Sequence, residues 1–260
     1  MLRPCPADPA GQGLFAARTP CAGFVHRRKP AHRVRPLSAA CWDVAMERVT
    51  DSLPARIFLL ACNPDKERRA WGDTLGYAVR AAVLVELAER GCLSDADGKA
   101  RPVGDRRTGD PVLDAVLRGL AEHGRPRRWR TLVARARRQT LQSLEEQLVT
   151  AGEIRVERRA LRRDRVVLRE PGLPGRLRAE ALETLESSTP VEQVPRAEAA
   201  LAAMAALGRL APELNWQVRH RNRKRIKELT KRGGPAVTGL KKALDSRNAA
   251  AASSASSSAS

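Results

Sequence analysis

Aromatic side chains are scarce in this chain, at 3% of 260 residues. A core with so few rings has to be built from Leu, Val and Ala, which favours helices over a sandwich or barrel. Long apolar runs are missing too; no stretch reaches the roughly 18 residues that a membrane-crossing helix needs. The five cysteines (Cys5, Cys21, Cys41, Cys62 and Cys92) form no Cys-x-x-Cys pair. His26, His32, His123 and His220 stand at no metal-ligand spacing to them. The expectation is reduced thiols in a cytosolic protein, with Cys62 and Cys92 as small core residues and no structural metal. The sequence also lacks Gly-x-Ser-x-Gly, His-Glu-x-x-His, a phosphate-cradling Gly-Lys-Ser/Thr loop and a dinucleotide fingerprint. Neither catalysis nor a cofactor is expected.

Positive charge, by contrast, is abundant. Lys and Arg number 48 against 29 acids, a formal net charge of +19. Such a chain is drawn to polyanions, either nucleic acid or the cytoplasmic face of a membrane. Each cation close to an anionic leaflet contributes about 1 kcal/mol, so a handful gives useful affinity. Charge alone does not choose between the two partners. Hydrophobic residues still make up 42%, enough for a buried core.

Residues 1–48 are rich in Pro, Gly and Arg without sustained periodicity and read as a disordered basic arm. Residues 248–260, Ala and Ser after Asn248, read as a disordered tail that cannot pack. Between them, 49–247 reads as mainly α: a single helical domain with a central helix bundle and one or two short β-hairpins. Asp51-Ser-Leu-Pro opens a first helix ending near Asn63-Pro64. Asp73 caps a second that runs to Arg90 and stops at Gly91. Leu75, Val79, Ala82, Val83 and Leu87 form its inward stripe. Asp97-Gly98 marks a hairpin, and Asp110-Pro111 starts a third helix. One long helix is expected from Trp129 to Thr150. A second hairpin then pairs Ile154–Val156 with Val166–Leu168 across a basic tip. Further helices are expected at 176–187, 195–210, 214–231 and near 236–246.

Three segments carry a resemblance. Glu86-Leu-Ala-Glu-Arg-Gly-Cys-Leu, Thr108-Gly-Asp-Pro-Val-Leu-Asp and Glu146-Gln-Leu-Val-Thr-Ala-Gly-Glu-Ile, in that order and at those separations, resemble segments of the Golgi phosphoprotein 3 family. The resemblance covers residues 50–210 clearly and 211–246 more weakly. It implies a non-enzymatic peripheral adaptor that binds phosphatidylinositol 4-phosphate on the cytosolic face of a membrane, the Golgi in a eukaryote, with protein cargo as a further partner. It also implies a headgroup pocket containing Trp71 and Arg80. The first of the family's later arginine pair falls on Arg138 and the second on Leu141, a departure for which Arg135, one turn upstream of Arg138, is the candidate substitute. The hairpin tip at Leu161, Arg162 and Arg163 is the implied membrane-facing element, basic here where the family's is apolar. Abundant Ala and Arg suggest a GC-rich coding sequence, as in an actinomycete-like bacterium, where another anionic lipid takes the place of the Golgi one.

The chemistry of such a pocket stands on its own. Arginine suits a phosphorylated headgroup because its planar fork bonds phosphate oxygens in pairs and keeps its charge. Nine residues along one helix turn Trp71 about 180° from Arg80, so the two share a site only if Trp71 precedes the helix. Each residue also has a plainer reading. Trp71 can be a core-edge indole and Arg80 a solvated or ion-paired helix residue. Arg135 and Arg138 can belong to a wet face, with Asp110 and Asp114 as a helix cap and a first-turn acid. The competing function is nucleic-acid binding through the basic helix from Arg219 to Lys231.

Overall fold

From Leu75 to Val85 every residue of the second helix is buried. The single stripe expected there widens to the whole circumference. Gly76, Ala78, Ala81 and Ala82 fill the remaining faces with small side chains, so neighbouring helices close in from all sides. The computed structural model describes residues 49–69, 73–104, 107–122, 124–158 and 164–257. Trp71, the hairpin tip at Leu161, Arg162 and Arg163, and the basic arm at 1–48 lie outside the described residues. The fold is mainly α, with only a few short antiparallel strands.

Helix α1 (Leu53–Leu60) starts at Ser52, whose Oγ accepts from Ala55 N at 3.4 Å, and has proline in its first turn. A two-residue ladder follows, β1 (Cys62–Asn63) against β2 (Arg68–Arg69). Helix α2 (Asp73–Glu89) comes next. Glu86 Oε2 accepts from Leu53 N at 3.0 Å and so fixes the start of α1 to α2. Strands β3 (Leu93–Ala96) and β4 (Lys99–Pro102) pair around Asp97 (φ 53°) and Gly98 (φ 74°), the two positive values that a tight hairpin turn requires. Helix α3 (Pro111–Ala121) has Asp110 as its cap. A third strand, β5 (Arg127–Arg128), joins β4. It is too short for periodicity to show.

The long helix expected over Trp129–Thr150 is two helices, α4 (Trp129–Ala134) and α5 (Arg137–Thr150). Between them Arg135 is extended and Ala136 left-handed, at φ 52°. Arg137 holds the break. Its Nη1 donates to Ala134 O at 3.1 Å, its Nη2 to Asp73 Oδ2 at 3.3 Å, and its guanidinium lies 4.5 Å from the centre of the Tyr77 ring. The propensity of the Arg-rich run favours one continuous helix; these tertiary contacts override it. Trp129 Nε1 donates to Asp95 Oδ1 at 2.6 Å and sets α4 against the first hairpin.

Strands β6 (Ile154–Glu157) and β7 (Arg165–Leu168) pair as expected, Ile154 opposite Leu168 and Val156 opposite Val166. Val166 N donates to Glu67 O at 2.7 Å and Arg165 pairs with Glu67, which ties this hairpin to the chain leading into α2. Helices α6 (Leu173–Glu186) and α7 (Arg196–Gly208) follow. The helix expected over 214–231 is again two, α8 (Trp216–Arg221) and α9 (Arg223–Arg232), because Asn222 turns the chain and its Nδ2 bonds Val218 O at 3.1 Å. Helix α10 (Pro235–Ser257) runs on through the Ala/Ser stretch expected to be unstructured. Alanine's high helix propensity carries the helix on, but its last buried residues are Ala243 and Leu244. Around α2 pack α1, α4, α5, α7 and α10. Gly239 permits the α10–α4 approach, since a Cβ there would lie 3.0 Å from Trp129 Cβ. Cys62 and Cys92 are both buried in this core, as expected.

Candidate functional site

The Thr-Gly-Asp segment builds one wall. Asp110 Oδ1 accepts from Val112 N at 2.8 Å and Leu113 N at 2.9 Å, while its Oδ2 accepts from Gln147 Nε2 at 2.9 Å. The carboxylate thus caps α3 and docks it on α5. Asp114 Oδ1 accepts from Thr108 N at 2.7 Å and Thr108 Oγ1 at 2.8 Å. Burial pushes the Asp114 carboxyl up, but the Thr108 and Gly109 bonds and the Arg107 charge outweigh it, so it sits below its ordinary value. Both acids are structural, as their plainer reading held.

Between α3, the β4–β5 pair and the α4–α5 break lies a cavity of about 390 Å3. Its size falls in the range of small-molecule sites. Arg80 reaches it from α2, Arg118 from α3, Arg125 and Arg127 from the segment through β5, and Arg135 from the break. Among the described residues Glu122 is the one carboxylate that lines it, and Gln139, Thr140 and Ser143 supply polar groups from α5. Arg118, Arg125 and Arg127 were not singled out in the sequence. Alternation along β5 sends Arg127 to this cavity and Arg128 to a second one beside α10. The signal available was the Gly124-Arg-Pro-Arg-Arg128 run, which on its own reads as a wet loop.

Arg80 is only 6% exposed. Its Nε donates to Leu132 O at 3.3 Å and its Nη1 to Thr140 Oγ1 at 2.9 Å. No carboxylate pairs with it among the described residues. Burial, and after it the nearby Arg135 charge, lowers its pKa to about 10. The group therefore stays protonated at neutral pH with no carboxylate counter-ion among the described residues. Arg178 shows what a buried arginine looks like when it is purely structural. Its Nε donates to Leu60 O at 3.0 Å, its Nη2 to Cys62 O, and its Nη1 pairs with Glu213 at 3.3 Å. Arg80 is thus a buried cation that faces further cations across a cavity, an arrangement whose charge an anion would balance.

The structure brings Arg80 and Arg135 together in this cavity. Arg138 does not line it. Its side chain is 82% exposed, and Nη2 meets Asp73 Oδ1 at 3.5 Å at the start of α2. Leu141, at the second position of the family's pair, packs against the core. Burial raises the Asp73 carboxyl, but the Arg137 and Arg138 guanidiniums bring it below its usual range. Among the described residues no group of three or more His, Cys, Asp or Glu side chains is placed to hold a metal ion. No helix among them is long and apolar enough to cross a membrane.

Fold and cavity together define a mainly helical protein with an arginine-walled cavity beside its central helix. The chain belongs to the Golgi phosphoprotein 3 (GPP34) family, whose model matches residues 53–247. No curated protein matches it. Membership brings a Golgi phosphoprotein 3-like role in general, with membrane or lipid and protein partners.

Proposed function

We propose that the protein is a non-enzymatic peripheral membrane adaptor that binds a phosphorylated lipid headgroup, phosphatidylinositol 4-phosphate or a close analogue, in the arginine-walled cavity. The observation that carries this reading is Arg80, buried and protonated without a carboxylate partner among the described residues. An incoming phosphate supplies the missing counter-charge and accepts from several guanidiniums at once. Ser143, Gln139 and Glu122 offer partners for ring hydroxyls. The adaptor role and the absence of catalysis rest on the family and on the missing catalytic motifs.

Vesicle sedimentation tests it. Vesicles carrying the 4-phosphate lipid are expected to bind the protein about tenfold more tightly than phosphatidylserine vesicles of equal surface charge. Equal binding to both would reject the cavity as a headgroup site and leave only general charge attraction.

A further inference from the structure

Trp216 is the most exposed large hydrophobic residue described, at 68%. One of the chain's four tryptophans thus stands largely in water, and its surroundings decide whether that matters. It opens α8 directly after the cap Asn215, whose Oδ1 accepts from Val218 N at 3.1 Å. Its ring stacks on His220 at 5.5 Å between centroids, with 21° between planes. The indole is therefore held outward by a ring on one side and a capped helix start beneath.

The surroundings are basic. Arg219 and Arg209 stand close enough that, after burial, the Arg209 charge is what lowers the Arg219 pKa. Neither has a carboxylate partner among the described residues. Arg209 is exposed at the left-handed end of α7, at φ 52°. Arg223, Lys224, Lys227 and Lys231 continue the exposed side of α9, with Glu228 as its only acid. Arg225 and Arg232 turn inward instead. Arg225 donates to Thr184 O and Thr189 O, both at 2.8 Å, and Arg232 to Val194 O at 3.0 Å. The helix spends two arginines on anchoring itself and presents the rest outward.

We infer that the Trp216 end of α8, with Arg209, Arg219 and the outer side of α9, is a second membrane-docking surface, its partner the anionic headgroup layer of a bilayer. An indole ringed by cations suits the interface, where the ring sits at headgroup depth and the cations meet lipid phosphates. A nucleic-acid strand is the poorer match. Non-specific strand binding uses a series of stacking rings, and here one ring stands alone with a face already covered by His220. The inference rests on the membrane reading above but uses none of the cavity residues.

The test compares the full chain with Trp216→Ala and with the Arg209→Gln/Arg219→Gln pair. All are measured on phosphatidylcholine vesicles containing phosphatidylserine, and on vesicles of equal charge containing the 4-phosphate lipid. The double variant is expected to lose roughly thirtyfold in partition onto both vesicle types, with their ratio unchanged, as removal of two surface cations requires. Brominated lipids are expected to quench a component of the tryptophan emission that Trp216→Ala lacks. Unaltered partition, or identical quenching in Trp216→Ala, overturns the proposal. So does tighter binding of random duplex nucleic acid that these substitutions alone abolish. A wild-type ratio of one between the vesicle types removes the headgroup reading and leaves this surface to be judged on its own data.

Discussion

Arg80 and Thr140 are 60 residues apart and share a 2.9 Å hydrogen bond, Nη1–H to Oγ1, while the same threonine hydroxyl donates to Ala136 O at 3.0 Å. A guanidinium from the central helix is thus held by the turn at which the neighbouring helix restarts. The bond aims Arg80 into the cavity and couples its position to the α4–α5 break.

Replacing that cation separates stability from binding. The Arg80 pKa, about 10, lies below the ordinary arginine value, so holding the charge in the fold costs stability at neutral pH. Arg80→Met keeps most of the volume and removes the charge. We expect soluble inositol phosphates to raise the melting temperature of the wild type but not of this variant, whose own melting temperature is unchanged or raised. A variant that still responds to inositol phosphate would contradict the assignment.

Arg135 and Arg138 are three residues apart in sequence but in different environments. Arg135→Gln is expected to lower preference for the 4-phosphate lipid about tenfold, the effect of one charge-assisted contact, about 1.4 kcal/mol. Arg138→Gln, exposed and paired with Asp73, is expected to weaken all anionic vesicles slightly and to leave the preference intact. If Arg138→Gln abolishes the preference and Arg135→Gln does not, the headgroup sits at the start of α2 instead.

Ala136 carries a left-handed backbone, which costs an L residue about 1–2 kcal/mol. Part of that returns on substitution with glycine, whose unfolded chain is more flexible. Ala136→Gly is expected to raise the melting temperature by a few degrees, and Ala136→Val to lower it and weaken headgroup binding. Calorimetry and vesicle sedimentation on the same preparations check both.

Acid sensitivity follows from Asp114. Its native pKa lies below the unfolded value of about 3.9, so its stabilisation is fully present above that pH and fades as pH falls through the native value. Asp114→Asn is expected to be less stable at pH 7 and to show a shallower further loss between about pH 4 and pH 2. Parallel acid limbs for the two proteins would remove this role.

Caps, turns and hairpins were legible in the sequence because each is specified by neighbours in the chain. Asp110-Pro111, Asp97-Gly98 and the pairing of Ile154–Val156 with Val166–Leu168 all stand as read. The breaks at Ala136 and Asn222 were not legible. Neither has a proline or glycine, and at Ala136 the cause lies in a remote group, the Tyr77 ring and Asp73 around Arg137. The site was legible in part. Arg80 and its helix could be named, whereas Arg118, Arg125 and Arg127 reach the cavity only through the packing of α3 and the addition of β5. Burial of Arg80 could not be foreseen, since it depends on alanines and a glycine letting neighbours cover every side of α2.

The discontinuity at Ala136 has one more effect. In an unbroken rod the peptide N–H groups of Arg137, Arg138 and Gln139 would all be consumed by carbonyls of the preceding turn. Restarting the spiral at Arg137 frees these donors from such carbonyls, and the positive end of a fourteen-residue dipole begins beside Ala136 and Gln139 on the wall of the basic chamber.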